Sequence, residues 1–212
     1  MGVYEKLSIL VIFSVFMIYQ NGTPIINKPI KLLSAHQPVY LPWLGLFHKI
    51  EVSDIFVIFD DVPFSKKMWY NRNRIKGNNG QIMLTVPVLL DGSRDTLHKD
   101  VRIDNTSNWK RKHWKSIELS YQKAPYFKKY AEELKSLLLA NQWDFLRDLN
   151  EAMLKYFMRS LGIITPLIRA SSYSFQGKKS DLVLDMCVQL KAQHYLFGAL
   201  GSDYVDEHAF LN

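Results

Sequence analysis

The chain is poor in the residues that build covalent and cysteine–metal sites. It carries one cysteine, Cys187, in 212 residues. That excludes an intrachain disulfide framework and a cysteine-based zinc site. Neither H-E-x-x-H nor G-x-S-x-G occurs, and G-x-x-x-x-G-K-[ST] is never complete; zinc peptidase, serine hydrolase elbow and Walker-type readings fall away. No internal repeat or low-complexity stretch is present. Acidic residues are the minority charge, 20 against 27 Lys+Arg, for a net charge of +7. Long apolar runs are also scarce. The longest, residues 7–19 (LSILVIFSVFMIY), has about 13 residues, short of the roughly 20 that a spanning helix needs.

What remains describes an ordinary globular chain. Hydrophobic residues make up 48% and charged residues 22%, close to the average for one domain with a real core. The positive balance favours anionic partners. It is too modest in total and too local for a dedicated nucleic-acid binder. Cys187, between Met186 and Val188, reads as a core residue. Residues 1–30 stand apart. The apolar run has the length of a signal-peptide core with Lys6 as a basic flank, but no small-x-small cleavage site follows. An extension from an upstream start, a membrane or signal-like anchor through residues 7–19, and a buried helix or strand all stay open. Residues 23–31, with Pro24 and Pro29, read as a linker. The body of the chain reads as cytoplasmic.

Periodicity predicts strands at 31–35, 55–59, 82–88, 101–103, 163–169 and 195–197. It predicts helices at 42–50, 109–119, 125–139, 143–161 and 180–190, with Gly162 as a stop. The continuous apolar run IFVIF at 55–59 has the pattern of a strand buried on both faces. The spacing across 62–81 predicts a hairpin-like excursion. The order β-α-β, small β insert, helices, then β-α-β predicts an α/β, Rossmann-like three-layer domain with a mainly parallel sheet and a helical second half.

In such a sheet, ligands bind beyond the carboxyl ends of the strands. That rule selects His36-Gln37-Pro38, Asp60-Asp61, residues 170–179 and residues 198–203. His36 can act as a general acid or base, or bind phosphate; His48 reads as structural. Asp60 and Asp61 can hold Mg²⁺ or a sugar hydroxyl, and alternation lets only one of them face the site. The densest basic cluster is Lys66, Lys67, Asn71, Arg72, Asn73, Arg74 and Lys76, interleaved with Trp69 and Tyr70. Arg72 and Arg74 would share one face of an extended segment and offer two guanidinium forks to phosphate. Lys110, Arg111, Lys112 and His113 load the start of a helix and read as a solvated face. Lys178 and Ser180, in Gly177-Lys178-Lys179-Ser180, read as an anion-binding helix start. Gly198, Gly201 and Asp203 form a glycine-bearing turn after the last strand, where the glycines permit positive φ.

Several of these segments, in this order, resemble the WbqC-like protein family: AHQPVYLPWLGLFHKI, DIFVIFDDVPFSKKMWYNRNRIKGNNG, WKRKHWKSIELSYQKAPYF and GKKSDLVLDMCVQLKAQHYLFGALGSDYVDE. The resemblance covers residues 31–212 and leaves 1–30 outside. Family members usually continue past the segment around Asp206-Glu207 with a β-rich tail, so the resemblance implies a domain that stops short of it. It also implies a role in bacterial O-antigen or other surface-polysaccharide biosynthesis, by acyl or aminoacyl (glycine) transfer to a nucleotide-linked sugar. On that reading His36 is the base, and Asp60 or Asp61 binds a sugar hydroxyl or metal. Gln37, Asn71, Arg72, Arg74, Lys76, Lys178, Ser180, Gly198, Gly201 and Asp203 hold the substrate and its phosphates. No cofactor is assigned, and Mg²⁺ stays open as a candidate. Nucleotidyl transfer from a nucleoside triphosphate, and a non-catalytic binding or scaffold role, are the alternatives.

Overall fold

The structure is a computed structural model that describes residues 18–20, 23–25, 30–66, 68–90, 95–198 and 210. The chain runs β1 (Ile18–Gln20), β2 (Thr23–Ile25), β3 (Leu32–His36), α1 (Leu44–Glu51), β4 (Ile55–Ile58), β5 (Arg72–Gly77), β6 (Gly80–Thr85), β7 (Val88–Leu89), β8 (Arg102–Ile103), α2 (Trp109–Tyr121), α3 (Phe127–Leu139), α4 (Leu146–Leu161), β9 (Leu167–Arg169), α5 (Ser180–Gln189) and β10 (His194–Leu196). Single 3-10 turns lie at His98–Asp100 and Ala170–Ser172.

The centre is a four-stranded sheet in the order β10-β3-β4-β9, and each neighbouring pair is parallel. The first crossover is short: Pro42 and the extended Trp43 turn the chain into α1. The second is long and carries the insert and three helices. All four residues of β4 are buried, as a strand covered on both faces requires. Alternation divides the sheet into two faces. Leu33, Ala35, Ile55, Val57, Ile168 and Ala170 pack against Val183, Met186, Cys187 and Leu190 of α5 and its C-terminus. Phe56 and Ile58 face a larger core with Leu46, Phe47 and Ile50 of α1 and Leu149, Met153 and Leu154 of α4. The result is a three-layer α/β sandwich of Rossmann-like form.

The excursion predicted at 62–81 is the antiparallel hairpin β5–β6. The strand predicted at 82–88 is interrupted: β6 ends at Thr85, and Val88 belongs to β7, which pairs with β8. Pro87 separates the two, since a residue without an N–H cannot continue a ladder. Ile75 and Leu84 anchor the hairpin in the core shared by α1, α2 and α4. α4 ends at Gly162, whose φ of 76° is left-handed. The Ile163 amide donates to the Met158 carbonyl at 2.9 Å, which closes a Schellman cap.

Residues 18–20 and 23–25 pair as β1 and β2. The end of the apolar run and the start of the predicted linker are therefore strands, because the hairpin satisfies backbone groups that a linker would leave to water. Among the described residues, no helix is long and apolar enough to cross a membrane.

Candidate functional site

Four segments meet at the carboxyl edge of the sheet, on the α1/α4 face. Register sets this. His36 of β3 pairs with Ile58 of β4, and Ile58 pairs with Arg169 of β9. Two residues further on, Asp60 and Ser171 extend that alternation and touch. The Ser171 amide donates to Asp60 Oδ1 at 2.9 Å, and its hydroxyl donates to Asp60 Oδ2 at 2.6 Å. Arg147, in the first turn of α4, reaches the same Oδ2 at 3.3 Å.

His36 is partly buried, with its ring edge-on to Trp43 at 5.3 Å. Its Nδ1 lies 2.8 Å from the Gln37 carbonyl. A carbonyl only accepts, so Nδ1 carries the proton and Nε2 keeps its lone pair. Burial lowers the His36 pKa below 6.5. The Gln37 hydrogen bond works in the other direction, and the nearby Lys49 ammonium lowers it further. The ring is thus neutral at pH 7, with Nε2 as the basic atom. Lys49 itself donates to the Ala35 carbonyl at 3.0 Å, and burial brings its pKa down to about 8. His36 lines a small cavity of about 10 Å³ with Gln37, Pro42, Asn150 and Glu151, on the scale of one water. The Asn150 side chain is 1% exposed. Its Nδ2 donates to the Tyr70 carbonyl at 2.9 Å, while Oδ1 has no partner among the described residues.

Asp60 and Asp61 separate. Asp60 is fully buried, and both of its oxygens are taken by Ser171 and Arg147. Asp61 is exposed and pairs with Lys99. An arginine already sits where a divalent cation would have to approach Asp60, so the pair does not fit Mg²⁺. No group of three or more His, Cys, Asp or Glu among the described residues is placed to hold a metal. Asp60 instead begins a chain of charges that runs from the buried edge out to the surface at Lys155. Arg147 also bonds Asp148 at 3.0 Å; Asp148 meets Arg169 at 3.4 Å; Arg169 bonds Glu151 at 2.6 Å; Lys155 bonds Glu151 at 2.7 Å. Burial opposes ionisation of Glu151, but Lys155 and Arg169 outweigh it and hold its pKa below the ordinary value.

His98 lies behind this edge. It is 2% exposed, its ring is edge-on to Tyr70 at 4.4 Å, and its Nε2 is buried without a partner among the described residues. Burial, together with the proximity of His36, lowers its pKa to about 3.

The basic cluster is clamped to the loop that follows His36. The Tyr40 amide donates to the Tyr70 carbonyl at 3.1 Å, and Asn73 Nδ2 donates to the Leu41 carbonyl at 2.6 Å. Arg72 Nη2 is held by the Lys66 carbonyl, its Nε is buried without a partner, and the guanidinium meets no carboxylate among the described residues. Arg74 lies over the Trp69 ring at 5.1 Å and donates to Gln81 Oε1 at 3.0 Å. Asn71 is 5% exposed and its amide is committed to the Val86 carbonyl at 2.8 Å; it braces the hairpin. Lys76 has an exposed side chain, and its amide donates to the Tyr121 hydroxyl at 3.0 Å.

The remaining predicted residues lie elsewhere. Lys178 is exposed and Ser180 is buried at the start of α5, on the opposite face of the sheet from the arginine hairpin. Gly177 has φ of 90°, and a Cβ there would come within 2.9 Å of the Asp181 Cβ, so only glycine fits that turn. Gly198 is exposed just beyond β10; Gly201, Asp203 and Lys67 lie outside the described residues. His48 is exposed on α1, and Arg111 and Lys112 form a solvated face. Cys187 is buried in the α5 core, which pushes its thiol up to about 11.

The linear pattern does not mark Lys49, His98, Arg147, Asp148, Glu151 or Arg169 as site residues, nor, on charge or motif, Asn150. One signal was available for Asn150. It occupies the helical stripe of Leu146, Leu149, Met153 and Leu154, where a polar residue is out of pattern.

A family model described as "WbqC-like protein family" matches residues 37–212. "Uncharacterized protein Rv1507c" of Mycobacterium tuberculosis (strain ATCC 25618 / H37Rv) is 34% identical over 180 residues, covering 85% of this chain and 78% of the relative. No solved structure matches the chain.

Proposed function

The chain belongs to the WbqC-like protein family, and from that premise we infer that it transfers an acyl or aminoacyl group to a nucleotide-linked sugar in bacterial surface-polysaccharide biosynthesis. The observation that carries this reading is His36: a neutral imidazole at the carboxyl edge of the sheet, with Nδ1 tied to the Gln37 carbonyl and Nε2 left basic. As the acceptor oxygen or nitrogen bonds to the acyl carbon, Nε2 takes its proton. The imidazolium then returns that proton to the leaving group. Lys49 and burial keep His36 unprotonated until the acceptor arrives. Arg72, with a guanidinium free of carboxylates among the described residues and a hairpin clamped to the His36 loop, is the phosphate contact that fits best. Arg74 lies on the same strand. Asp60 acts as a positioning residue that fixes Arg147 and the end of β9.

The test is transfer from an acyl donor to a nucleotide sugar, with binding read by thermal shift. The His36→Ala variant is expected to lose transfer and keep nucleotide-sugar binding nearly intact. The transfer rate of the parent protein should rise with pH through a midpoint below pH 6.5, because burial and Lys49 lower the His36 pKa and leave Nε2 free above it. Unchanged transfer in His36→Ala removes His36 from the mechanism. Pyrophosphate release from a nucleoside triphosphate would favour nucleotidyl transfer instead.

A further inference from the structure

A second concavity, of about 460 Å³, opens on the far side of the His36 loop. It lies within the size range of small-molecule sites, roughly 300–1,000 Å³. Its floor is apolar: Ile75 of β5, Ile117 of α2, and Ala131 and Leu134 of α3. Its walls are aromatic, with Tyr121, Phe127, Tyr130 and Phe157, and Tyr126 stands at the lip, 73% exposed. Leu41 closes one end. Its neighbour Pro42 lines the His36 cavity, so a single turn of loop separates the two spaces. Leu41 holds a left-handed φ of 48°, an uncommon conformation for a branched side chain that the Asn73 clamp on its carbonyl supports.

The lining of this concavity carries charge of one sign. Arg74 is the charged side chain among its lining residues, and none of them is acidic. The guanidinium is already oriented by Trp69 and Gln81, so little side-chain freedom is lost when it meets an anion. Lys129 adds positive charge beside Tyr130, 5.1 Å from its ring. The deep part offers few polar groups, so a free sugar or a nucleobase would leave its own donors and acceptors unpaired there. An apolar body of chain or ring is matched to it.

We propose that this groove binds a single amphipathic anion, with an apolar body along Ile117, Leu134 and Phe157 and a phosphate or carboxylate head on Arg74. The groove shares Arg74 with the phosphate contacts proposed above and none of its lining residues with the His36 cavity.

The experiment titrates the full chain with the fluorescent aromatic sulfonate 1-anilinonaphthalene-8-sulfonate. The dye is then displaced with dodecyl phosphate, dodecanoate, dodecanol or dodecyltrimethylammonium, each below its micelle-forming concentration. One saturable site is expected, emptied by the phosphate and the carboxylate and poorly by the neutral and cationic chains. Arg74→Ala should weaken dodecyl phosphate about tenfold, the ordinary worth of one charge-assisted contact. Ala124→Trp fills the groove from the exposed α2–α3 loop and should abolish binding without moving the melting temperature. His36→Ala should bind like the parent, which separates failure of this site from failure of the transfer reading. The proposal is overturned by non-saturable binding, by binding that appears only above the micelle-forming concentration, by equal affinity for the cationic chain, or by Ala124→Trp binding like the parent.

Discussion

Asp60 and Asp61 are adjacent in the chain and differ in every physical respect. Asp60 accepts from the Ser171 amide and hydroxyl and from Arg147 with no exposed surface; Asp61 meets Lys99 in water. Removing one partner of a buried pair strands the other charge. Asp60→Asn should therefore cost roughly 3 kcal/mol in urea unfolding, whereas an exposed pair is worth about 0–1 kcal/mol, so Asp61→Asn should change stability little. Equal losses in the two variants would contradict the assignment. His98 gives a second residue-scale prediction. Its folded pKa, about 3, lies below the ordinary 6.5. The unfolded chain then binds more protons between those values, so stability is complete above about pH 6.5 and is lost as pH falls. Going from pH 7 to pH 5, His98 alone accounts for about 2 kcal/mol of that loss. His113, lowered to about 4 by burial, adds to it. His98→Leu should shrink the pH 7 to pH 5 difference in unfolding free energy by that amount; an unaltered difference would show that His98 stays neutral for another reason.

At the scale of elements, the hairpin β5–β6 and the loop after β3 behave as one unit. They are joined by the Tyr40 amide to Tyr70 carbonyl bond and by Asn73 Nδ2 on Leu41. Asn73 was read in the sequence as part of a basic cluster, but its amide turns inward. Arg72 and Arg74 face the other way, as strand alternation requires. Asn73→Ala should leave the core intact and cost about 1 kcal/mol, the usual net value of a single hydrogen bond. It should also weaken nucleotide-sugar binding, because the arginines lose their fixed distance from His36. Isothermal titration against the parent tests this, and undiminished affinity would mean that the clamp does not set the site. The strand and helix spans were legible because their patterns are local: IFVIF for β4, and the stripe of Leu146, Leu149 and Met153 for α4. The break between β6 and β7 was legible only from Pro87, and the run IMLTV masked it.

For the whole molecule, the sheet is a shared wall between two cores. None of the tryptophans of the described residues belongs to the α5 core; Trp109 and Trp114 are buried in the other one. Tryptophan fluorescence thus reports on one side of the wall. Met186 is completely buried on the opposite side. Met186→Ala should cost about 2–5 kcal/mol. If the domain unfolds as one unit, the fluorescence midpoint should fall by as much as the far-ultraviolet circular dichroism midpoint. A fluorescence transition that stays at its parent position would show that the two layers unfold separately.

The sequence by itself determined the order of elements, the buried central strand, the parallel α/β architecture and the His-Gln-Pro edge, because each rests on periodicity or on the chemistry of a short segment. It also determined that the surplus of positive charge is gathered in patches. Only the tertiary structure decided which charges are free to act. Asp60 is consumed by Ser171, more than a hundred residues away, and by Arg147, while Arg72 is left without a carboxylate among the described residues. Lys178 was set on the opposite face of the sheet from the arginines because α5 packs against Leu33 and Val57. Burial and pairing depend on contacts between distant segments, and a linear pattern carries only the partners within one turn or one strand.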